Sequence, residues 1–360
     1  MSLTTIIAEE IVTYGPMPFA RFMELALYHP AHGYYSGGKA CVGRKGDFFT
    51  NVSVGSLYGR LQAVQFTEMW ERMDRPTDFS IVEQGAHSGD FAADVLDVLS
   101  RSSTAVTYRI VEPSASLAAQ QRARLAKFGE KVRWYESLAA LPPFTGVYFS
   151  NELPDAFPVH VVKWDGGAWR ERCVSAEDGR FVFVDAPLSS RALSTACKQI
   201  PQPLPPGYTT EVNLAAREWI ASVATKLTRG WVLTVDYGHE RDDYYAPQRA
   251  EGTLSAYANH RREPDPLVRP GEIDLTAHVD FTSLIESAEA AGMKCAGFTD
   301  QHHFMVGLGA GHFADGANPG DVRAFQTLMH PQMMGTAFKV VCFAKGIELS
   351  PALSGLRYAR

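Results

Sequence analysis

Short apolar runs alternate with segments of helical periodicity through the middle of the chain. The apolar runs predict parallel strands at 79–83, 107–112, 131–135, 146–150 and 231–236. Crossover helices are predicted between them, at about 89–100, 115–128 and 211–228. Strands and helices that alternate in this order form an α/β fold with an open, doubly wound sheet.

The two ends of the chain add elements to this core. Residues 3–12 and 17–28 have the periodicity of amphipathic helices, and a further helix is predicted from about 57 to 72. Near the other end, 281–301 has the pattern of a helix, a glycine and a strand, and 335–345 predicts a final strand. A sheet that finishes in this way is typical of an α/β core closed by a hairpin, rather than of a second mononucleotide-binding half.

Composition shifts along the chain suggest how it is organised. We predict an N-terminal helical cap and loop over 1–75, a core over 76–346 and a tail over 347–360. Two insertions interrupt the core. Residues 157–210 contain a β-meander, expected against the edge of the sheet, and a proline-rich connector, and residues 239–280 form a loop-rich lid.

Composition and charge exclude several classes of protein. The chain has 360 residues, of which 46% are hydrophobic, so it can build a substantial core. The net charge of -6, without a run of basic residues, argues against nucleic acid as a partner. No stretch reaches the ~18 apolar residues of a membrane span, and no signal peptide is apparent. We therefore expect a soluble protein that contacts no membrane.

The cysteines and histidines give no sign of a metal or of disulfides. The five cysteines are widely spaced and form no Cys-x-x-Cys pair, which indicates reduced thiols and a cytoplasmic location. His302 and His303 are adjacent and have no accompanying ligands, so we expect no metal site.

The stretch FSIVEQGAHSGDF joins the first predicted strand to a short glycine loop. Gly85 and Gly89 would let a ligand approach the backbone. The dinucleotide fingerprint G-x-G-x-x-G requires glycine where this chain has His87 and Asp90, so NAD or FAD is the weaker candidate. A P-loop is excluded because no Gly-Lys-Ser/Thr follows.

Two acids at the ends of strands indicate the class of ligand. Glu112 follows the second strand, where a carboxylate can accept hydrogen bonds from both hydroxyls of a ribose. Glu83 ends the first strand and could meet an ammonium group. S-adenosylmethionine carries both groups, so this order of strands, acids and loop predicts a class I methyltransferase. Ordinary packing of the glycines is the alternative.

Six motifs, in order, carry a resemblance to a known family: HPAHGYY (29–35), GRKGDFFT (43–50), VEQGAHSGDF (82–91), NELPDAFPVH (151–160), VDYGH (235–239) and DLTAHVDF (274–281). Across nearly its whole length the chain resembles the MidA-like family, which includes the mitochondrial arginine methyltransferase that assists assembly of respiratory complex I. The resemblance implies a seven-stranded methyltransferase fold and S-adenosylmethionine as methyl donor. For the mitochondrial member it also implies symmetric dimethylation of an arginine in a complex I subunit.

The resemblance extends to individual positions of the donor loop. Glu83, Gly85 and Gly89 match the acid and the outer glycines of the family's E-x-G-x-G-x-G loop, and Glu112 matches its ribose acid. His87 replaces the middle glycine. Histidine tolerates left-handed backbone better than most side chains, so we expect the turn to survive and the pocket to narrow.

Three further positions complete the predicted donor site. Ser137 stands where the family tends to have an acid near the adenine, and Asn151 offers a backbone or amide contact. Asp47 lies in KGDFFT, which in the family folds over the donor site. The TNVSVGS segment that follows replaces the family's T-S-P-E-I-S. These departures indicate a diverged member whose acceptor need not be the mitochondrial one.

Glu152 and Asp155 are the predicted catalytic residues. Methyl transfer from a sulfonium is an in-line displacement, in which alignment of the reactants can contribute ~7 to 11 kcal/mol. An arginine acceptor stays charged, so carboxylates must orient its guanidinium and localise its charge. Both acids directly follow the fourth strand. We expect Glu152 and Asp155 to clamp the guanidinium; for Asp155, capping of a turn is the alternative.

Three functional hypotheses remain from the sequence. The first is a protein methyltransferase directed at arginine, with a protein substrate as partner and a complex I subunit as the acceptor that the family suggests. A homodimer is one assembly open to the chain, whose oligomeric state the sequence does not give. The second is an assembly or binding protein that kept the fold and lost activity, because His87 could fill space beside the donor. The third is a methyltransferase that acts on a small molecule.

Overall fold

A computed structural model of the chain describes residues 1–37, 51–101, 106–258, 261–313 and 318–359. The chain forms two compact units, and each is discontinuous in sequence. Unit 1 consists of Met1–Phe48, Pro154–Glu218 and Gly238–Leu284, and unit 2 of Phe49–Leu153, Trp219–Tyr237 and Ile285–Arg360.

Helices and strands are numbered in chain order. The helices are α1 (Leu3–Tyr14), α2 (Phe19–Tyr28), α3 (Leu57–Glu71), α4 (Asp90–Leu99), α5 (Ala115–Leu125), α6 (Arg191–Cys197), α7 (Leu214–Lys226), α8 (Arg241–Tyr244), α9 (Phe281–Ala290), α10 (Gln301–His312) and α11 (Pro319–Met329). The strands are β1 (Met17–Pro18), β2 (Phe79–Gln84), β3 (Thr107–Val111), β4 (Val132–Tyr135), β5 (Phe144–Asn151), β6 (His160–Trp164), β7 (Trp169–Glu177), β8 (Arg180–Ala186), β9 (Thr209–Val212), β10 (Leu227–His239), β11 (Ser255–Ala258), β12 (Arg261–Glu263), β13 (Asp274–Thr276), β14 (Val279–Asp280), β15 (Lys294–Asp300) and β16 (Phe338–Lys345).

Unit 2 is built on the central sheet, whose strand order is β15-β16-β10-β5-β2-β3-β4. The run from β10 to β4 is parallel. β16 is antiparallel to both β10 and β15, so these last strands form the closing hairpin. This order confirms the predicted doubly wound, seven-stranded, methyltransferase-like sheet.

The core of unit 2 explains why its strands are nearly continuous apolar runs. In β2 every residue except the last is buried, as expected for a parallel sheet covered by helices on both faces. The rings of Phe91 on α4 and Phe149 on β5 stack with centroids 4.5 Å apart, and Phe66 on α3 meets Phe149 edge-on at 5.5 Å. This packing fixes α3 and α4 against the strands that carry the predicted site.

Unit 1 contains two antiparallel sheets. The predicted β-meander is present as β6, β7 and β8, and it pairs with β1 and β9 in a five-stranded sheet. The strands of the meander therefore form their hydrogen-bonded pairs within unit 1. The segment predicted to be a loop-rich lid contains a second sheet, in the order β12-β11-β13, and the short β14 pairs with Gly238 and His239 at the end of β10.

Two kinds of feature do not occur in the described part of the chain. None of its helices combines the length and the apolar character that crossing a membrane requires. No group of three or more histidine, cysteine, aspartate and glutamate side chains is arranged there to hold a metal ion.

Candidate functional site

The glycine loop lies between the end of β2 and the start of α4. Gly85 and Gly89 both have φ of 83°, and His87 has φ of 42°. The amide of Gly89 donates to the carbonyl of Ala86 at 2.7 Å and closes the turn. The left-handed backbone expected at His87 is confirmed, and the turn is preserved although a histidine replaces the middle glycine.

Glycine is favoured at positions 85 and 89 mainly by the backbone conformation there, and less by the space around the two residues. A Cβ atom added to Gly85 would lie 3.4 Å from Cδ1 of Leu153, and one added to Gly89 would lie 3.5 Å from Cδ1 of Leu125. These distances are close to ordinary van der Waals contacts. The positive φ angles are the stronger restriction, because side chains with a Cβ rarely adopt them.

The imidazole of His87 has an unusual environment. Its Nε2 atom is buried and has no hydrogen-bond partner among the described residues. Burial lowers the pKa of His87 below its ordinary value, although the nearby Asp90 opposes this effect. The ring is therefore neutral near pH 7 and places no positive charge in the loop.

Glu83 is buried at the end of β2, with only 4% of its surface exposed. The hydroxyl of Tyr108, on the neighbouring β3, donates to its Oε2 at 2.6 Å. Burial raises the pKa of Glu83 to about 7, and the hydrogen bond from Tyr108 opposes this rise. The carboxyl group therefore changes protonation near neutral pH, where a nearby cation would favour its ionised form.

Glu112 follows β3 and belongs to a hydrogen-bonded network centred on Gln121. Its Oε1 accepts from the amide of Ser114 and its Oε2 accepts from Nε2 of Gln121, both at 2.9 Å. The same Nε2 donates to the carbonyl of His87 at 2.8 Å, and Oε1 of Gln121 accepts from Nε1 of Trp134 at 3.1 Å. Gln121 thus connects the second acid to the glycine loop.

Sequence reasoning missed Gln121, although the sequence contained a signal for it. The buried residues of α5 are Ala118, Gln121 and Leu125, so the glutamine lies on the apolar face of the helix. A polar residue at such a position needs a buried partner. The pattern could therefore have indicated a hydrogen-bonding role, but not the identity of its partners.

Glu152 lies just beyond β5, the strand that neighbours β2. The register that pairs Gln84 with Ser150 brings the carboxyl ends of these two strands to the same edge of the sheet. Glu152 has φ of 52°, and its amide donates to the carbonyl of Val235 at 2.9 Å. Its Oε1 accepts from Nδ2 of Asn151 at 2.8 Å. The carboxylate is therefore oriented by hydrogen bonds on a strained backbone.

Tyr58 on α3 gives a further measure of how close the predicted acids lie. Burial raises its pKa well above the ordinary value, and the charges of Glu152 and Glu83 raise it further. Its hydroxyl donates to Oδ1 of Asn151 at 2.7 Å. Tyr58 thus contacts Asn151 directly and senses the charges of Glu83 and Glu152.

Three further residues were predicted for the site. Ser137 is exposed after β4, and its Oγ accepts from the amide of Ala140 at 3.2 Å. Asp155 belongs to unit 1, where its Oδ2 accepts from Oγ1 of Thr276 at 3.1 Å and burial raises its pKa to about 6. Asp47 lies outside the described residues. For these three residues the predicted roles stay predictions.

The groups of unit 2 suit a ligand that carries an ammonium group and a ribose and that occupies little space beside the glycine loop. A carboxylate has about four lone-pair sites, and Glu112 uses two of them, so it can still accept from two ribose hydroxyls. The carboxyl group of Glu83 would ionise beside a ligand ammonium, because a nearby positive charge favours the charged form. The residues present therefore fit S-adenosylmethionine.

Comparison with known proteins identifies the family. Residues 61–299 match the model of a family described as S-adenosyl-L-methionine-dependent methyltransferase. The chain is 30% identical to the mitochondrial protein arginine methyltransferase NDUFAF7 homolog of Drosophila melanogaster, over 96% of this chain and 85% of that protein. It is 27% identical to the mitochondrial protein arginine methyltransferase NDUFAF7 of Homo sapiens, over 91% of this chain and 80% of that protein.

A solved structure agrees with these relatives. A Burkholderia thailandensis protein bound to S-adenosyl-homocysteine superposes with a TM-score of 0.91 and 34% identity, covering 99% of this chain and 95% of that one. S-adenosyl-homocysteine is the demethylated product of S-adenosylmethionine, which is therefore the cofactor expected at the glycine loop. The chain belongs to the MidA-like family of S-adenosyl-L-methionine-dependent methyltransferases.

Proposed function

We propose that this methyltransferase transfers its methyl group to an arginine side chain of a protein, and that Glu152 orients the acceptor guanidinium. The observation that supports the proposal is the carboxylate of Glu152, which is oriented by hydrogen bonds at the same sheet edge as the glycine loop. The relatives named protein arginine methyltransferases support the choice of acceptor.

Some residues of the chain would bind the methyl donor, and Glu152 would orient the acceptor. When bound, S-adenosylmethionine supplies a methyl group on a positively charged sulfur. Glu112 would hold the ribose hydroxyls and Glu83 the ammonium, while the loop from Gly85 to Gly89 lies alongside. Glu152 would accept hydrogen bonds from the guanidinium and concentrate its positive charge away from the attacking nitrogen. Alignment of the two reactants then lowers the barrier.

The protein partner and the compartment are further parts of the proposal. We retain a respiratory complex I subunit as the first acceptor to test, because the sequence motifs resemble a family with that role. The relatives are named as mitochondrial proteins, and the predicted cytoplasmic location of this chain stays a prediction. A homodimer likewise stays a prediction.

Transfer of a labelled methyl group tests the acceptor class. The purified enzyme, incubated with methyl-labelled S-adenosylmethionine and a cell extract, is expected to label protein, and mass spectrometry of the labelled protein is expected to find dimethylarginine. Label found only in the small-molecule fraction would contradict the proposal and favour a small-molecule acceptor. Label in protein at residues other than arginine would also contradict it.

The substitution His87→Gly tests whether the donor loop is obstructed. We expect it to strengthen binding of S-adenosyl-homocysteine by up to about tenfold, because it removes a ring that takes up space beside the donor loop. The fold should remain, with an unfolding free energy within about 1 kcal/mol of the original, because glycine adopts this backbone readily. Calorimetric titration measures the affinity.

Asp178→Gly is the matched control for His87→Gly. Asp178 is exposed in the turn between β7 and β8 and has φ of 47°, close to the 42° of His87. Asp178→Gly should cause a similar change in backbone strain and leave the affinity for S-adenosyl-homocysteine unchanged. If His87→Gly binds S-adenosyl-homocysteine equally or more weakly, the imidazole makes a favourable contact with the ligand.

A further inference from the structure

A chain of buried side-chain amides in unit 2 ends at the carboxylate of Glu152. Gln301, at the start of α10, donates from Nε2 to the carbonyl of Leu328 at 3.0 Å and to Oδ1 of Asn51 at 2.8 Å. Asn51 in turn donates from Nδ2 to Oδ1 of Asn151 at 3.1 Å. Asn151 donates from Nδ2 to Oε1 of Glu152 at 2.8 Å.

All the hydrogen bonds of this chain run in one direction. The carbonyl of Leu328 can only accept, so it fixes which end of the Gln301 amide faces it. Each later amide must then accept from its predecessor and donate to its successor. The chain finishes at a carboxylate, which when ionised can only accept. The direction of the whole chain is therefore set at one end by a backbone carbonyl and at the other by the charge of Glu152.

Tyr58 reinforces the same direction. Its hydroxyl donates to Oδ1 of Asn151, the atom that also accepts from Asn51. Burial raises the pKa of Tyr58 well above its ordinary value, so the hydroxyl stays protonated and remains a donor. Two donors at Oδ1 leave Nδ2 of Asn151 facing Glu152, so the amide cannot turn over without losing both bonds.

The arrangement has features that packing alone does not require. Asn51 and Gln301 are fully buried, and Oε1 of Gln301 is left without a partner in the described part of the chain. Buried amides that are incompletely paired cost stability that an apolar core would not. Glu152 also keeps a left-handed backbone, with φ of 52°, which persists only where its surroundings hold it. Costs of this kind are typical of functional sites.

We propose that Gln301, Asn51 and Tyr58 are positioning residues, which hold the Glu152 carboxylate in one orientation through the Asn151 amide. Asn51 also acts directly, because its backbone amide donates to Oε1 of Glu152 at 3.4 Å. The inference rests on the proposed function of Glu152 as the group that orients the acceptor. A carboxylate fixed before the acceptor arrives does not have to lose its rotational freedom during the reaction. The amide chain thus contributes to the rate without contacting either reactant.

The test combines Gln301→Met and Tyr58→Phe with Glu152→Gln in double-mutant cycles. Each single positioning variant is expected to lower kcat for protein methylation about tenfold, because the carboxylate becomes mobile. The dissociation constant of S-adenosyl-homocysteine should stay within about twofold, since Glu83, Glu112 and the glycine loop are unchanged and the Asn151 amide already bonds to Tyr58, Asn51 and Glu152. In the Glu152→Gln background, the same variants should cause less than about a twofold further loss, because the group through which they act is already absent.

Tyr148→Phe is the matched control for Tyr58→Phe. It also removes a buried hydroxyl of unit 2, one that bonds to Oε1 of Gln84 and lies outside the amide chain. It should leave kcat unchanged. If Gln301→Met does not fold, Tyr58→Phe decides alone, because it removes a single oxygen.

The outcomes separate this inference from the proposed function. If Glu152→Gln lowers transfer but Tyr58→Phe and Gln301→Met retain the original kcat, the positioning role is overturned while the proposed function stands. The same holds if they lower kcat by equal factors with and without Glu152, since their effect is then independent of the carboxylate. If Glu152→Gln itself retains full transfer, the proposed role of Glu152 fails and the positioning role fails with it.

Discussion

Replacing Glu152 by glutamine is expected to lower kcat/KM for protein methylation about a hundredfold. Removing one partner of a desolvated charge pair costs about 3 kcal/mol or more, and about 1.4 kcal/mol corresponds to a factor of ten. Glutamine keeps a carbonyl oxygen that can accept from Nδ2 of Asn151, so the local structure should survive. Methyl-label transfer at limiting protein acceptor measures the effect.

The control for this substitution is Glu130→Gln, which removes an exposed carboxylate of the same unit. It should leave transfer unchanged. Binding of S-adenosyl-homocysteine should be equal in both variants, because Glu152 is assigned to the acceptor. Full transfer by Glu152→Gln would show that the carboxylate does not orient the guanidinium.

The fold of unit 2 could be predicted because its elements are specified locally. The strands of a covered parallel sheet are continuous apolar runs, and the helix and hairpin at the end distinguish the closing strands from a second nucleotide-binding half. The observed β2 (Phe79–Gln84) and β16 (Phe338–Lys345) lie within the predicted apolar runs, or within one residue of their ends. Such patterns do not depend on distant parts of the chain.

Unit 1 was harder to predict because its short strands depend on pairing. β11, β12 and β13 have three or four residues each, in a polar segment with several prolines. Strands of this length have no marked periodicity, and their stability comes from partners elsewhere in the sheet. The segment therefore resembled a loop.

In the candidate site, too, some residues could be predicted from the sequence and others could not. Glu83, Gly85 and Gly89 could be found because a strand, an acid and a turn follow one another directly. The amide network could not, since Gln301 and Asn51 are 250 positions apart in sequence and meet only through the fold. Their side chains are neutral amides, so the residue types alone gave no sign of a functional role. A sequence shows the groups that contact ligands more readily than the groups that hold them in place.

The protonation of Glu83 should produce a measurable dependence of stability on pH. Its pKa is raised from 4.5 to about 7 by burial in the folded state. Below pH ~4.5 the group is protonated in both folded and unfolded chains and costs nothing. As the pH rises from about 4.5 to about 7, the unfolded chain releases this proton while the buried carboxyl group of the folded chain keeps it, so about 3 kcal/mol of unfolding free energy is lost, and the loss is complete once the folded group also ionises.

Glu83→Gln should abolish this loss, because glutamine does not ionise and its oxygen can still accept from the hydroxyl of Tyr108. Denaturant titrations between pH 4 and 8 would measure the difference in unfolding free energy between the original chain and the variant, with Glu130→Gln as the control. A difference that does not change with pH would contradict the raised pKa.

Repeating the titrations with saturating S-adenosyl-homocysteine tests the role assigned to Glu83. A ligand ammonium beside the carboxylate stabilises its ionised form and lowers the pKa of the folded group, so the loss should then end at a lower pH and be smaller. If Glu83 does not contact the ligand, the loss keeps its size.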